Sequence, residues 1–239
     1  MKLSVLMPVY NEERWLPLII PKVLTQNVEG ITEIELIIVD DRSKDKTASI
    51  IRSFAECYPR QIRIFSHKTN QGKGAAIKTA IANARGDICL VQDADLEYDP
   101  SEYPKLLKPI VNGHADCVFG SRFMGGEARR VLFFWHSVGN SFLTLLSNIF
   151  TNLNLTDMET CYKAFRTDLL KSIPLKCNRF GFEPEITAKV AKRRARIYEV
   201  GISYSGRTYA EGKKINWRDG IKAIFCIVWF GLTVRNENF

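Results

Sequence analysis

Histidine is scarce in the chain, three residues of 239 (His67, His114 and His136), and their spacing offers no metal-binding pair. The six cysteines (57, 89, 117, 161, 177 and 226) contain no C-x-x-C pair and no zinc-type spacing with those histidines. Scattered thiols of this kind fit a reducing compartment better than a disulfide framework. No run of about 18 uninterrupted apolar residues exists, so a membrane-spanning helix is not expected. The stretch 131–150 is broken by His136 and Asn140, and 221–234 is too short. The apolar run 3–9 meets Asn11-Glu12-Glu13 at once, which is not the pattern of a signal peptide. Internal repeats, low-complexity tracts and an obvious interdomain linker are also lacking. At 46% hydrophobic and 25% charged residues, the composition excludes a disordered or collagen-like chain. The length suffices for one large domain or two small ones.

What is present in excess is positive charge, with 34 Lys plus Arg against 26 Asp plus Glu and a net charge of +8. The excess is local. Residues 186–222 carry ten Lys or Arg and three Asp or Glu, a balance of +7, whereas the rest of the chain stands at +1.

Residues 3–9 and 34–39 are short apolar runs rich in β-branched side chains that end in polar clusters, the pattern of buried parallel strands. Helical spacing covers 16–24 and 48–57, a third strand is expected over 62–66, and an Ala-rich helix over 74–84 is stopped by Gly86. A fourth strand follows over 88–92. This alternation predicts βαβ units in a doubly wound, mostly parallel α/β sheet. Such sheets bind ligands beyond the carboxyl ends of their strands. Tyr10-Asn11-Glu12, Asp40-Asp41 and Asp93-Ala94-Asp95 all fall there. Past Pro100 the pattern predicts a helix over 103–111, a strand over 115–120, a long helix over 131–150 and a strand over 196–204. An apolar stretch over 221–230 follows the basic segment.

Asp93 and Asp95 are the central chemical signal. Two carboxylates one residue apart at a strand end can hold a hard divalent cation, which prefers oxygen ligands. Alone, such a pair is more often a turn or helix cap. The neighbouring Asp40-Asp41 weakens that reading, because like charges gathered at one edge repel unless a cation offsets them. Lys73 lies in a Gly-flanked loop before a helix, a setting that favours anions.

In chain order, Pro8-Val9-Tyr10-Asn11-Glu12, the run from Val39-Asp40-Asp41-Arg42 to Thr47, Asn70-Gln71-Gly72-Lys73-Gly74-Ala75-Ala76 and Asp93-Ala94-Asp95 resemble the motifs of family 2 glycosyltransferases, inverting enzymes with the GT-A fold. Gly120-Ser121-Arg122-Phe123, the run Asp157 to Phe165 and Gly181-Phe182-Glu183-Pro184-Glu185 resemble the polyprenyl-phosphate hexose synthases, the dolichyl-phosphate mannose synthase branch. The resemblance implies a catalytic domain over 1–205, then a basic loop and amphipathic helix over 206–239. It implies that Pro8, Tyr10, Glu12 and Asp41, with Asp40 beside them, line the base and ribose pocket of a nucleotide-diphosphate sugar. Asp93, Asp95 and Glu97 would face Mg²⁺ or Mn²⁺ and the diphosphate. Ser121, Arg122 and one of Arg129 and Arg130 would approach the acceptor phosphate. The loop with Arg207, Lys213 and Lys214 would close over the phosphates, with Gly206 and Gly212 as hinges. Arg42 and Cys161 replace glycines common in the family.

A lipid phosphate is already anionic and needs orientation and charge screening, whereas a sugar hydroxyl needs a general base. Arg122, Arg129, Arg130, Lys163, Arg207, Lys213 and Lys214 supply groups suited to phosphate. The leading expectation is therefore a metal-dependent inverting transferase that moves a hexose, of the GDP-mannose or UDP-glucose type, to a polyprenyl phosphate. Asp95 and Arg122 would be catalytic, and Asp157 would be the base if one is needed, or else position Lys163 or the sugar. A saccharide hydroxyl acceptor, with Asp157 as base, is the second reading. A nucleic-acid-binding module is a third, but it leaves the strand-end carboxylates unexplained. The helix after the basic loop reads as binding an anionic membrane surface or as a core helix with solvated charges. The expected location is the cytoplasmic face of a membrane, held peripherally, with a separate membrane partner compatible and nucleic acid not expected.

Overall fold

Short runs of Val, Ile and Leu, buried on both faces, force three of the first four strands into the interior, while the third, over 62–66, is only partly buried. The computed structural model describes residues 1–126, 130–131, 133–208 and 217–234. Strands β1 (Lys2–Val9), β2 (Glu33–Asp40), β3 (Ile62–Ser66) and β4 (Ile88–Val91) alternate with helices α1 (Leu16–Leu24), α2 (Thr47–Cys57) and α3 (Lys73–Asn83). After α4 (Tyr103–Val111) come β5 (Cys117–Ser121), α5 (Phe134–Thr151), β6 (Lys163–Arg166), α6 (Thr167–Ser172), α7 (Phe182–Lys192), β7 (Ile197–Gly201) and α8 (Trp217–Thr233). Among the described residues the strands form one seven-stranded sheet in the order β3-β2-β1-β4-β6-β5-β7.

Every pairing is parallel except those of β6, which runs antiparallel to both β4 and β5. Ala164 of β6 stands opposite Leu90 on one side and Val118 on the other. The incoming end of β6 thus reaches the same edge as the outgoing end of β4. That edge is where Asp93 and Asp95 leave the sheet. The core runs through the sheet and the inner faces of its helices, with Leu6, Ile37, Leu90, Phe119 and Phe165 fully buried.

α8 packs on α5 and α7. Gly231 permits the close approach, since a Cβ there would lie 2.6 Å from the Cβ of Phe150. Away from that contact, α5 exposes Phe134, Trp135, Phe142, Leu145 and Ile149, and α8 exposes Ile221, Phe225, Trp229 and Leu232. Among the described residues no helix is long and apolar enough to cross a membrane.

Candidate active site

The ends of β1 and β2 are stitched together before any ligand is considered. Asn11 N–H donates to Ser43 Oγ (2.9 Å), Glu12 N–H to Thr47 Oγ1 (2.9 Å), and Lys44 N–H to Asn11 Oδ1 (2.8 Å). Two residues of these turns take positive φ without being glycine, Asn11 at 53° and Arg42 at 66°. The left-handed conformation that glycine adopts freely is thus retained by Arg42, at a cost of about 1–2 kcal/mol. Asp40 closes its own turn by accepting from Ser43 N–H (3.0 Å).

Asp41 faces the following loop rather than an open base pocket. Its carboxylate accepts from Gln71 N–H (2.8 Å) and Gly72 N–H (2.7 Å), and pairs with His67 Nδ1 (2.7 Å). The other ring nitrogen of His67 meets Thr79 Oγ1 at 2.9 Å. Asp41, expected beside the nucleotide, therefore shapes the loop that begins α3, and His67 is its partner. The sequence held no sign of that pairing, which joins residues from different elements. Pro8 and Tyr10 remain partly open at the end of β1, and Glu12 is nearly covered.

Lys73 opens α3 and reaches into the acidic edge. Its ammonium lies 3.0 Å from Asp93 Oδ1, 3.3 Å from Glu183 Oε1 and 3.3 Å from Cys161 Sγ. Burial opposes its charge, but Asp93, Cys161 and Glu183 together hold it above the ordinary lysine value. Gln92, which sequence reasoning passed over, fixes the strand end behind Asp93. Its carbonyl accepts from Tyr103 OH (2.8 Å) and Tyr162 OH (2.6 Å), and its amide donates to the Asp93 carbonyl (3.0 Å).

Asp95 is buried, and burial followed by the charges of Asp93 and Glu97 pushes its carboxyl up to about 7, against the pull of Arg207. Arg207 bridges the acidic residues. Nη2 donates to Asp95 Oδ2 (2.5 Å), Nε to Glu97 Oε1 (2.9 Å), and Nη1 stands 3.9 Å from Glu12 Oε2. Tyr204 OH donates to Glu97 Oε2 at 2.8 Å.

This donor set is all oxygen, and Asp95 gains by having positive charge beside it, so it suits Mg²⁺ or Mn²⁺. Among the described residues, no three His, Cys, Asp or Glu side chains converge to enclose an ion unaided.

On the neighbouring strand end, Arg122 is clamped by Asp157. Its Nε lies 2.6 Å from Oδ2, its Nη2 2.7 Å from Oδ1, and its backbone N–H donates to Oδ2 at 3.1 Å. Asn140 Oδ1 accepts from Nη2 (3.0 Å), and the guanidinium carbon sits 5.2 Å from the centre of the Tyr204 ring. Asp157 is fully buried, so it positions Arg122 rather than standing free as a base or meeting Lys163. Ser121 is buried too. Its Oγ lies 2.5 Å from Thr156 Oγ1 and accepts from Phe123 and Met124 N–H, so it braces the turn that carries Arg122.

Lys163 departs furthest from expectation. It has no exposed surface, its ammonium donates to the Met158 carbonyl (2.8 Å) and the Thr160 carbonyl, and it lies 4.6 Å from the Phe119 ring centre. Burial draws its amine below the ordinary value, with Glu183, Asp157 and Glu159 pulling the other way. It holds the 158–160 turn and presents no group to an acceptor phosphate. Arg130 donates from its backbone to the Tyr204 carbonyl (2.9 Å) and from Nη1 to the Gly206 carbonyl (3.2 Å), anchoring the strap that carries Arg207. Arg129, Lys213 and Lys214 lie outside the described residues.

Comparison with known proteins gives the family and the fold. The family model described as Glycosyl transferase family 2 matches residues 4–173. An undecaprenyl-phosphate 4-deoxy-4-formamido-L-arabinose transferase of Photorhabdus laumondii is 29% identical over 89% of this chain, which spans 62% of that protein. An undecaprenyl-phosphate mannosyltransferase of Micrococcus luteus is 29% identical over 99% of this chain and 97% of its own length. Among solved structures, the glucosyl-3-phosphoglycerate synthase of Mycobacterium tuberculosis, in complex with Mn²⁺, UDP and phosphoglyceric acid, superposes with a TM-score of 0.74 at 21% identity. It covers 97% of this chain and 78% of its own, a likeness of fold.

Proposed function

Since the chain belongs to glycosyl transferase family 2, we propose that it moves a hexose from a nucleoside-diphosphate sugar to a polyprenyl phosphate at a membrane surface. The observation that carries this reading is the Arg122–Asp157 clamp. A saccharide hydroxyl acceptor needs a base, and Asp157, the residue for that task, is fully buried with both oxygens engaged by Arg122. A phosphate acceptor needs an oriented cation, and a guanidinium braced from behind by a carboxylate is such a group.

The steps follow from the chain's own residues. Lys73, at the start of α3, and Arg207, on its strap, offer positive charge to the donor diphosphate. Asp95, with Asp93 or Glu97 beside it, would hold Mg²⁺ or Mn²⁺, and when bound the ion would neutralise charge on the departing diphosphate. Arg122 orients the lipid phosphate, whose oxygen attacks the anomeric carbon while the bond to the diphosphate breaks, inverting that centre. Tyr204, whose ring centre is 5.2 Å from that of Tyr98, packs against the Arg122 guanidinium. The printed activities of the undecaprenyl-phosphate relatives support the acceptor class. Mn²⁺ and UDP in the solved relative support the donor and ion. The exposed aromatic faces of α5 and α8 suit docking at a bilayer interface.

The test is release of nucleoside diphosphate from GDP-mannose or UDP-glucose with Mn²⁺, with and without polyprenyl phosphate in detergent. Release is expected to require the lipid. Turnover on free saccharides with no response to lipid phosphate overturns the acceptor assignment.

A further inference from the structure

Among the described residues, the buried side-chain oxygens that find no hydrogen-bond partner are Glu159 Oε1 and Thr160 Oγ1, adjacent in the chain. Leaving a buried polar atom unpaired is costly, and native structures do so rarely. Both atoms lie in the turn between Asp157, which holds Arg122, and Cys161, which touches Lys73. Thr160 is fully buried and Glu159 half-buried.

The surroundings specify the missing partner. Glu159 lies in the fields of Glu183, Lys163 and Arg122, and Glu183 is 3.3 Å from the same Lys73 ammonium that contacts Asp93. Burial, then the charge of Glu183, pushes the Glu159 carboxyl up to about 8, against Lys163 and Arg122. The shift favours the protonated form, which offers both a donor and an acceptor. An anion would meet Glu183, and a cation would meet Lys73 and Lys163. A neutral, hydroxyl-bearing ligand matches Glu159, the partly exposed member of the pair. The terminal torsion of a glutamate side chain is broad, so the unpaired oxygen can turn towards an arriving hydroxyl without backbone movement.

We propose that Glu159 binds a hydroxyl group of the transferred sugar and sets which hexose the site accepts. The inference rests on the nucleotide-sugar reading of the site. It makes Glu159 a specificity residue of the donor, separate from the groups that meet the diphosphate.

Calorimetric titration of the full chain with Mn²⁺ tests it, using UDP and GDP alone and then UDP-glucose, UDP-galactose and GDP-mannose. For Glu159→Ala, affinity for the nucleoside diphosphates should stay within about twofold, while the preferred nucleotide sugar weakens by about tenfold or more and the two UDP-hexoses converge. Glu159→Gln, which keeps a donor and an acceptor, should retain most of the preference. Unchanged ranking of the sugars in Glu159→Ala overturns the inference. Equal loss for nucleotide and nucleotide sugar also overturns it, since that marks a merely structural role. A wild-type chain that binds none of the nucleotide sugars overturns the donor reading itself. Turnover without lipid phosphate bears only on the acceptor.

Discussion

Removing the carboxylate of Asp157 should both destabilise the protein and disarm Arg122. The Asp157 side chain is 0% exposed and that of Arg122 17%. At a charge separation of about 4 Å and an effective dielectric near 20, the attraction is about 4 kcal/mol. Breaking a buried pair by deleting one partner costs about 3–5 kcal/mol, since the remaining charge is left uncompensated. The Asn140 oxygen, 3.0 Å from Nη2, offsets a small part. Asp157→Ala should thus lose about 3–5 kcal/mol, and Asp157→Asn, which keeps one acceptor oxygen, about 2–3 kcal/mol. Urea unfolding measures this directly. With a slope of about 2–3 kcal/mol/M, the alanine variant's midpoint should fall by more than about 1 M with the slope unchanged. Turnover by Asp157→Asn should drop through a misaimed Arg122, while the pH–rate profile keeps its shape. An alanine variant within about 1 kcal/mol of wild type refutes the clamp. So does a fully stable asparagine variant whose acid limb disappears, because that is the behaviour of a general base.

Other consequences are as open to measurement. Burial raises the Glu35 carboxyl, but the Ser4 hydroxyl, the Arg85 N–H, Lys2 and Arg63 outweigh it, leaving it below the ordinary glutamate value. Its stabilising contribution is therefore complete above the unfolded value of about 4.3 and is lost as pH falls through the lower folded value. Glu35→Gln should lower Tm at pH 7 and flatten its decline towards pH 3; an equally steep decline refutes the assignment. Gly74→Ala would place a Cβ 2.6 Å from the Cys177 carbonyl oxygen, so it should cost about 1–3 kcal/mol in thermal unfolding. A variant as stable as wild type would show that the contact yields freely. Phe225 and Trp229, 67% and 51% exposed, should give up co-sedimentation with anionic vesicles on replacement by serine, with Tm unchanged. Vesicle binding that survives both substitutions removes this face from the membrane contact.

β1, β2 and β4 are legible because each is a dense apolar run closed by a polar cluster, and across the first four strands the structure moves no end by more than one residue, with 62–66 unchanged. β6 escapes notice because four residues carry no period, and its neighbours on both sides come from distant parts of the chain. α7 hides for a different reason. Glu183, Glu185, Thr187 and Lys189 are all buried, with Glu185 capping the N–H groups of Lys176 and Cys177 at 2.7 Å each, so its polar residues do not mark a solvent face. At the site, the strand-end carboxylates could be read from spacing. Their partners could not. Arg207 meets Asp95 across 112 residues and Arg122 meets Asp157 across 35, distances at which local pattern is silent. Lys163 shows the converse, a basic residue expected at the acceptor phosphate that the fold uses inside.

Arg207 also alters what the C-terminal part of the chain is for. Its guanidinium ties Glu12, at the end of the first strand, to Asp95 and Glu97, after the fourth, so residues from both ends of the chain meet at one point. Cutting the chain before Arg207 is then no trimming of an appendage. It would leave three carboxylates facing one another with their bridging cation gone, and the rim of the first strand would register the loss of a segment almost two hundred residues downstream.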